Sequence, residues 1–253
     1  MSGPSFLELA RAILTTMLTA WRPCQPLLAT AALIALAIAA AVGLLAPGPT
    51  AEGLAALPML VLTLAVSAGV AGFIVSGDLV YTRLGGVFRE PRAYVFVMRY
   101  VLLSLGLSLP LLAILPAVVG PGGATLGGGM ALVLVATTFA VIWLAARLAI
   151  FPYSVFFREP LTLAQSFRRT EGHALKIIGC VLLFASAILL AVTLVTFLLG
   201  GLITGLGSAT GLGGGAAATL ALQSLGQIAA AYAIDCVYGT ITRTFGAAAT
   251  ANE

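Results

Sequence analysis

Six long apolar runs divide this chain, and every lysine and arginine falls in or beside alternate gaps between them. Arg11 and Arg22 precede the first run, and Arg83, Arg89, Arg92 and Arg99 lie between the second and third. Arg147 to Lys176 lie between the fourth and fifth, and Arg243 closes the sixth. The three other gaps hold no basic residue. Basic residues in short loops stay on the cytoplasmic side of an inserting chain, so the pattern predicts six spans with both termini cytoplasmic. That is the layout of a multi-pass protein of the bacterial inner membrane. Seven of the eight acidic residues share the basic side, and only Glu52 falls on the other.

Composition agrees, with 61% hydrophobic residues, 8% charged residues and a mean hydropathy of +1.14. Six spans of about 20 residues occupy about half of the 253 residues. What is left is too short for a separate soluble catalytic domain. The expected organisation is one integral membrane domain over residues 1–253, with units near 4–83, 91–151 and 160–243. The spans read as Pro26–Ala46, Leu57–Thr82, Tyr94–Val119, Met130–Ile150, Ala174–Leu199 and Ala216–Thr240. No run alternates apolar with polar residues as a barrel wall would, so the fold class is all-α, a polytopic helical bundle. Glu8, Arg11 and Arg22 precede the first run, which argues against a cleavable signal peptide. The connections Pro47–Ala56, Gly120–Gly129 and Gly200–Gly215, rich in Gly, Pro, Ala, Ser and Thr, read as flexible turns.

The basic side repeats itself. Phe88-Arg89-Glu90-Pro91 follows the second span and Phe157-Arg158-Glu159-Pro160 the fourth. Span two ends in Asp78-Leu79-Val80-Tyr81 and span six in Asp235-Cys236-Val237-Tyr238. Three parallel hairpins related by a pseudo-threefold axis would account for these matches. Each hairpin is expected to follow an amphipathic helix on the inner surface. In the first, Ser5 to Glu8 has capping-box form, and Phe6, Ala10, Ile13, Met17 and Trp21 share a face. In the third, Pro160 starts the helix, with Leu163, Phe167 and Ala174 on one face. The middle one, Pro91 to Arg99, is short. Small residues four apart, Ala68–Gly72–Ser76 and Gly201–Gly205, permit close helix contact within the bundle.

From Arg147 to Ile177 a basic residue ends a span, Phe-Pro follows, and a short amphipathic helix leads into the next span. Its stretch Ala164-Gln165-Ser166-Phe167-Arg168-Arg169-Thr170-Glu171-Gly172 resembles the A-x-S-x-x-x-T-x-G stretch of bacterial six-span proteins of the YciC-like kind. It is also similar to the membrane domain joined to some glycerophosphodiester phosphodiesterases. The resemblance implies a helical membrane domain and brings no catalysis, since the phosphodiesterase chemistry of those proteins lies in a separate barrel. Ser166, Thr170 and Gly172 carry the motif, and capping and close packing are their expected duty.

Charge at membrane depth marks the candidate site. Asp78, Arg147 and Asp235 fall near the inner ends of the even-numbered spans, with Tyr81, Tyr153 and Tyr238 to supply hydroxyls. Two readings stand: a cytoplasm-facing polar pocket, or an ion-pair network that fixes helix register. Inner-leaflet contact falls to Arg11, Arg22, Arg89, Arg92, Arg158, Arg168, Arg169 and Lys176, which suit anionic headgroups. Cys24, Cys180, Cys236 and His173 lack metal-ligand spacing, so no metal, cofactor or disulfide is expected. The chain has no P-loop, HExxH or GxSxG and a single histidine, which argues against an enzyme. The expected function is non-catalytic: organising inner-leaflet lipid, or a cytoplasmic or membrane protein partner, with no nucleic acid. The alternative is a small transporter or lipid-translocating protein, which Pro110 and Pro116 in span three would suit.

Overall fold

The computed structural model describes residues 4–45, 49–118, 128–210 and 215–246. Six of its helices are long and apolar enough to cross a membrane, and the protein is a multi-pass membrane protein. The long helices are α1 (Phe6–Leu45), α2 (Pro49–Ser76), α4 (Pro91–Val118), α5 (Gly128–Leu148), α8 (Ala174–Thr210) and α9 (Gly215–Gly246). Three short ones, α3 (Leu84–Val87), α6 (Ile150–Tyr153) and α7 (Leu163–Arg169), lie in the charged connections. No strand occurs among the described residues. Of the connections without basic residues, 46–48, 119–127 and 211–214 lie outside the described residues, as do the side chains of Glu52 and Pro116.

The long helices form a closed circuit in which each packs on the next in sequence, and α9 returns to α1. A further contact between α2 and α9 crosses the middle. This explains the uneven burial of the spans. The most apolar windows of α2 and α9 are 56% and 44% buried, against 6% and 11% for α4 and α8. Leu102, Leu105, Leu109 and Leu112 on α4 point outward, as do Leu189, Leu190, Leu194 and Phe197 on α8. In lipid such side chains need no protein partner, so they show where hydrocarbon meets the bundle.

Helix ends follow local chemistry. Gly77 takes φ +77°, and its N–H donates to the Phe73 carbonyl at 2.8 Å, which ends α2. Asp78 then caps a 3-10 turn over Leu79–Thr82 by accepting from the Val80 N–H at 3.0 Å. The turn folds Tyr81 back onto Gly72, where a Cβ would lie 2.6 Å from the ring. The small-residue stripe on α2 therefore admits the chain's own returning turn at Gly72. After α5, Pro152 has no N–H for the Leu148 carbonyl, and the helix breaks at Ala149 before α6 and a 3-10 turn over Ser154–Phe156. Both Phe-Arg-Glu-Pro stretches follow such short helical turns, but Pro91 opens α4 at once, whereas Pro160 lies before the start of α7.

Three expectations about the surface helices change. The first is not a separate helix: Phe6–Leu45 runs unbroken through Pro23 and Pro26. It packs along α9, with the Tyr232 hydroxyl donating to the Met17 carbonyl and Trp21 edge-on to Tyr232. That docking buries Leu9, Ile13, Ala20 and Cys24 and leaves Phe6 and Trp21 exposed. The middle one is simply the start of α4. The third exists as α7, but Thr162, not Pro160, caps it, in a capping box with Gln165. Its buried face is Ser166 and Thr170, while Leu163 is exposed. The expected turn at Gly200–Gly215 is also shorter, since α8 stays helical to Thr210. A helix satisfies its own backbone where water is absent, which outweighs the cost of its glycines.

Candidate functional site

Asp235 is 2% exposed and lies eleven residues before the end of α9 at Gly246, about 16 Å along the axis. It is thus not at a helix end as the sequence suggested, because α9 has no counterpart of Gly77 to stop it. The Tyr153 hydroxyl, from α6, donates to Asp235 Oδ1 at 2.7 Å. The ring of Tyr153 stacks on Tyr238 at 5.7 Å and meets Phe96 edge-on at 5.2 Å. Asp235 Oδ2 is buried and closes no hydrogen bond, although the Ser67 hydroxyl of α2 stands beside the carboxyl.

Arg147 does not join this group. It is buried at the end of α5, with its guanidinium 4.0 Å over the Phe167 ring and 5.4 Å from that of Trp143. Asp78 is exposed and serves as a cap. Tyr81 is buried against Phe156, and burial, with Glu90 nearby, pushes its hydroxyl up to about 12. Of the six candidates, Asp235, Tyr153 and Tyr238 come together, Tyr81 joins through the Phe156 and Phe96 rings, and Asp78 and Arg147 stand apart. The ion-pair network expected among Asp78, Arg147 and Asp235 is absent. Aromatic faces hold Arg147 without a carboxylate, as they can a weakly hydrated guanidinium.

The motif residues clamp the broken end of α5. The Thr170 hydroxyl donates to the Arg147 carbonyl at 2.8 Å and Ser166 reaches it at 3.4 Å, both from the buried face of α7. Gly172, at φ +73°, turns the chain into α8. Beside it His173 lies 5.0 Å from the Phe245 ring, and burial, then Lys176, lowers its pKa. Arg99, not singled out from sequence, closes the same corner. Its Nη1 reaches the Leu161 carbonyl at 3.1 Å and the Phe151 carbonyl and Ser154 Oγ at 3.4 Å.

The remaining basic residues are mostly exposed: Arg11, Arg22, Arg83, Arg89, Arg92, Arg158, Arg168 and Arg243. Among the described residues none forms an ion pair. Arg169 and Lys176 donate instead to the carbonyls of Gly246 and Pro4, at 2.9 and 3.0 Å. Arg22 lies eleven residues beyond Arg11 on the unbroken α1, about 16 Å from the other charges of that segment. Arg11 and Arg243 flank a groove of about 710 Å³ between α1 and α9, lined also by Thr15, Thr16, Thr240, Thr244 and Glu8, whose carboxylate accepts from the Ser5 N–H at 2.7 Å. Those four hydroxyls donate to carbonyls of their own helices, which leaves the two arginines as the groove's cationic donors.

A second cavity, of about 580 Å³, runs between α2 and α9 and reaches Asp235. Ser67, Tyr100, Gln223, Ser224 and Gln227 line it. Both glutamines escaped notice in the sequence, though they lie four residues apart, and twelve and eight residues before Asp235, within one apolar run. The described residues bring no three His, Cys, Asp or Glu side chains together as a metal site. No protein-family model, no curated protein and no solved structure matches this chain.

Proposed function

We infer that this chain is a non-catalytic protein of the bacterial inner membrane that organises anionic lipid at the cytoplasmic face, where both termini lie. The observation that carries this reading is the set of exposed arginines without an ion pair among the described residues. Unpaired cations at the edge of a bilayer attract anionic headgroups, each contributing about 1 kcal/mol near the surface. The groove between Arg11 and Arg243 gives one headgroup a defined place, with two cationic donors against the single carboxylate of Glu8, which is engaged by the Ser5 N–H. The hydrogen bonds of Ser166 and Thr170 to the Arg147 carbonyl, and the turn at Gly172, fit the capping and packing duty expected of those residues.

The test is co-purifying lipid. In nanodiscs of mixed phosphatidylglycerol and phosphatidylethanolamine, native mass spectrometry is expected to find phosphatidylglycerol enriched on the protein. R11Q together with R243Q should reduce that enrichment, by about fivefold for each arginine removed. Equal retention of both lipids by the unaltered chain would overturn the reading, and a protein retained in their place would favour a partner. The second reading, a small transporter or lipid translocator, is favoured by the cavity at Asp235. That cavity extends along α2 and α9 toward Ala55 and Leu220, and neither Asp78 nor Arg147 lines it. Protein-dependent movement of lipid or solute in liposomes would decide for it.

A further inference from the structure

Arg147, 7% exposed, is the most deeply buried basic side chain of the described residues, and its guanidinium donates no hydrogen bond within the protein. Nε is wholly buried without a partner, while Nη1 and Nη2, equally without one, reach the surface. The three other basic side chains that are partly buried, Arg99, Arg169 and Lys176, each donate to a backbone carbonyl. Arg147 is the exception. The rings of Phe167 and Trp143, 5.7 Å apart and 76° to one another, form the corner in which its guanidinium lies. Ring faces attract the cation, but they accept none of its five N–H bonds. Charged donors held out of bulk water without an acceptor are costly, so the corner calls for one from outside the protein.

The place of Arg147 in the membrane selects that acceptor. It lies in the last turn of α5, where the span gives way to a charged connection. Phe139, Ile142 and Leu144 of the same helix are exposed and meet lipid, and Trp143 is 38% exposed. A tryptophan so placed at the end of a span sits at headgroup level, where the abundant oxyanion is the phosphodiester of the lipids themselves. We propose that Arg147 binds the phosphate of a phospholipid through Nη1 and Nη2, with the acyl chains along the exposed face of α5. The end of a guanidinium matches two phosphate oxygens as a fork, and the Phe167 and Trp143 rings hold that fork in one orientation. Every phospholipid carries this group, so the site reads phosphate and not net headgroup charge. That separates it from the arginine groove.

The chain has two tryptophans, so W21F leaves Trp143, beside the guanidinium, as the one indole reporter. The full W21F chain in dodecyl maltoside is titrated with dioleoylphosphatidylcholine, with dioleoylglycerol and inorganic phosphate as the controls. A saturable change in Trp143 emission is expected with phosphatidylcholine, at about tenfold lower mole fraction in the micelle than with dioleoylglycerol. Inorganic phosphate alone should give no response, since it has no chains to lie against α5. Adding R147Q should weaken the phosphatidylcholine response about tenfold, to the level of dioleoylglycerol, and R147K, which keeps the charge without the fork, should weaken it several-fold. If R147Q does not fold, the comparison of the two lipids on the W21F chain still decides. Equal responses to phosphatidylcholine and dioleoylglycerol, a response to inorganic phosphate alone, or a phosphatidylcholine response unchanged by R147Q would overturn the proposal. Phosphatidylcholine carries no net charge, so none of these outcomes bears on phosphatidylglycerol enrichment at Arg11 and Arg243.

Discussion

Asp78-Leu79-Val80-Tyr81 and Asp235-Cys236-Val237-Tyr238 share three of their four residues, yet they form opposite structures. In the first, the aspartate is exposed and caps a turn, and the tyrosine folds back into the bundle. In the second, the aspartate is buried in the middle of a helix and accepts from a tyrosine of another segment. The difference lies one residue upstream. Gly77 adopts φ +77° and ends α2, whereas Ile234 has a β-branched side chain that cannot take that conformation cheaply. A carboxyl is a cap where the helix stops and a buried acceptor where it continues, so the preceding residue sets its role.

The largest expected effect comes from blocking the turn that distinguishes the first copy. Gly72 leaves the space in which the Tyr81 ring sits, and a Cβ there would approach three ring carbons at 2.6 to 2.9 Å. Gly72→Val should therefore destabilise the protein by about 3 kcal/mol, as overpacking does when neither neighbour can yield. Thermal unfolding in detergent would register this as a fall of about 6–12 °C in Tm. An unchanged Tm would mean that Tyr81 does not dock on α2, and the contrast between the two copies would fail.

Next come the carboxyls themselves. Asp235→Ala leaves the buried Tyr153 hydroxyl without its acceptor and should cost about 2 kcal/mol. Asp78→Ala removes only a cap at an exposed turn and should cost about 1 kcal/mol. Adding Tyr153→Phe to Asp235→Ala should recover part of the loss, because the orphaned hydroxyl goes with its partner. Equal costs at positions 78 and 235, with no recovery in the double variant, would show that the two aspartates have equivalent roles.

These contrasts mark what the sequence made legible. The six spans were readable because the backbone in lipid must satisfy itself, which demands long apolar runs with few ways to disguise them. The Thr170 and Ser166 packing role was also readable, since their spacing of four puts both hydroxyls on one face of α7. Asp235 was named, but its environment was not legible. Its partner Tyr153 is 82 positions away, and the α2 wall of its cavity is further still. The supposed pairing with Arg147 failed for the same reason: similar depth in sequence says nothing about which side of a helix faces which neighbour. Gln223 and Gln227 could have been found, because two amides one turn apart in an apolar run are costly unless something meets them.

The corner at Gly172 gives the smallest effect and extends the contrast to pH. Here, as at Gly77, a glycine with positive φ turns the chain, but the residue that follows is His173 rather than an aspartate. Its Nδ1 is buried without a partner, and the ring lies against Phe245. Burial, and to a lesser degree Lys176, holds its folded pKa below the ordinary value of about 6.5. The unfolded imidazole therefore takes up a proton at a higher pH than the folded one, and the folded state loses stability as pH falls through that window. Above about pH 6.5 both states are neutral and the contribution disappears. A His173→Phe chain keeps the ring contact and removes the titration, so its Tm should fall less than that of the unaltered protein between pH 7 and pH 5. Parallel Tm profiles would mean that His173 is protonated freely in the folded state, and that this corner, unlike the Asp235 cleft, is open to water on both sides of the ring.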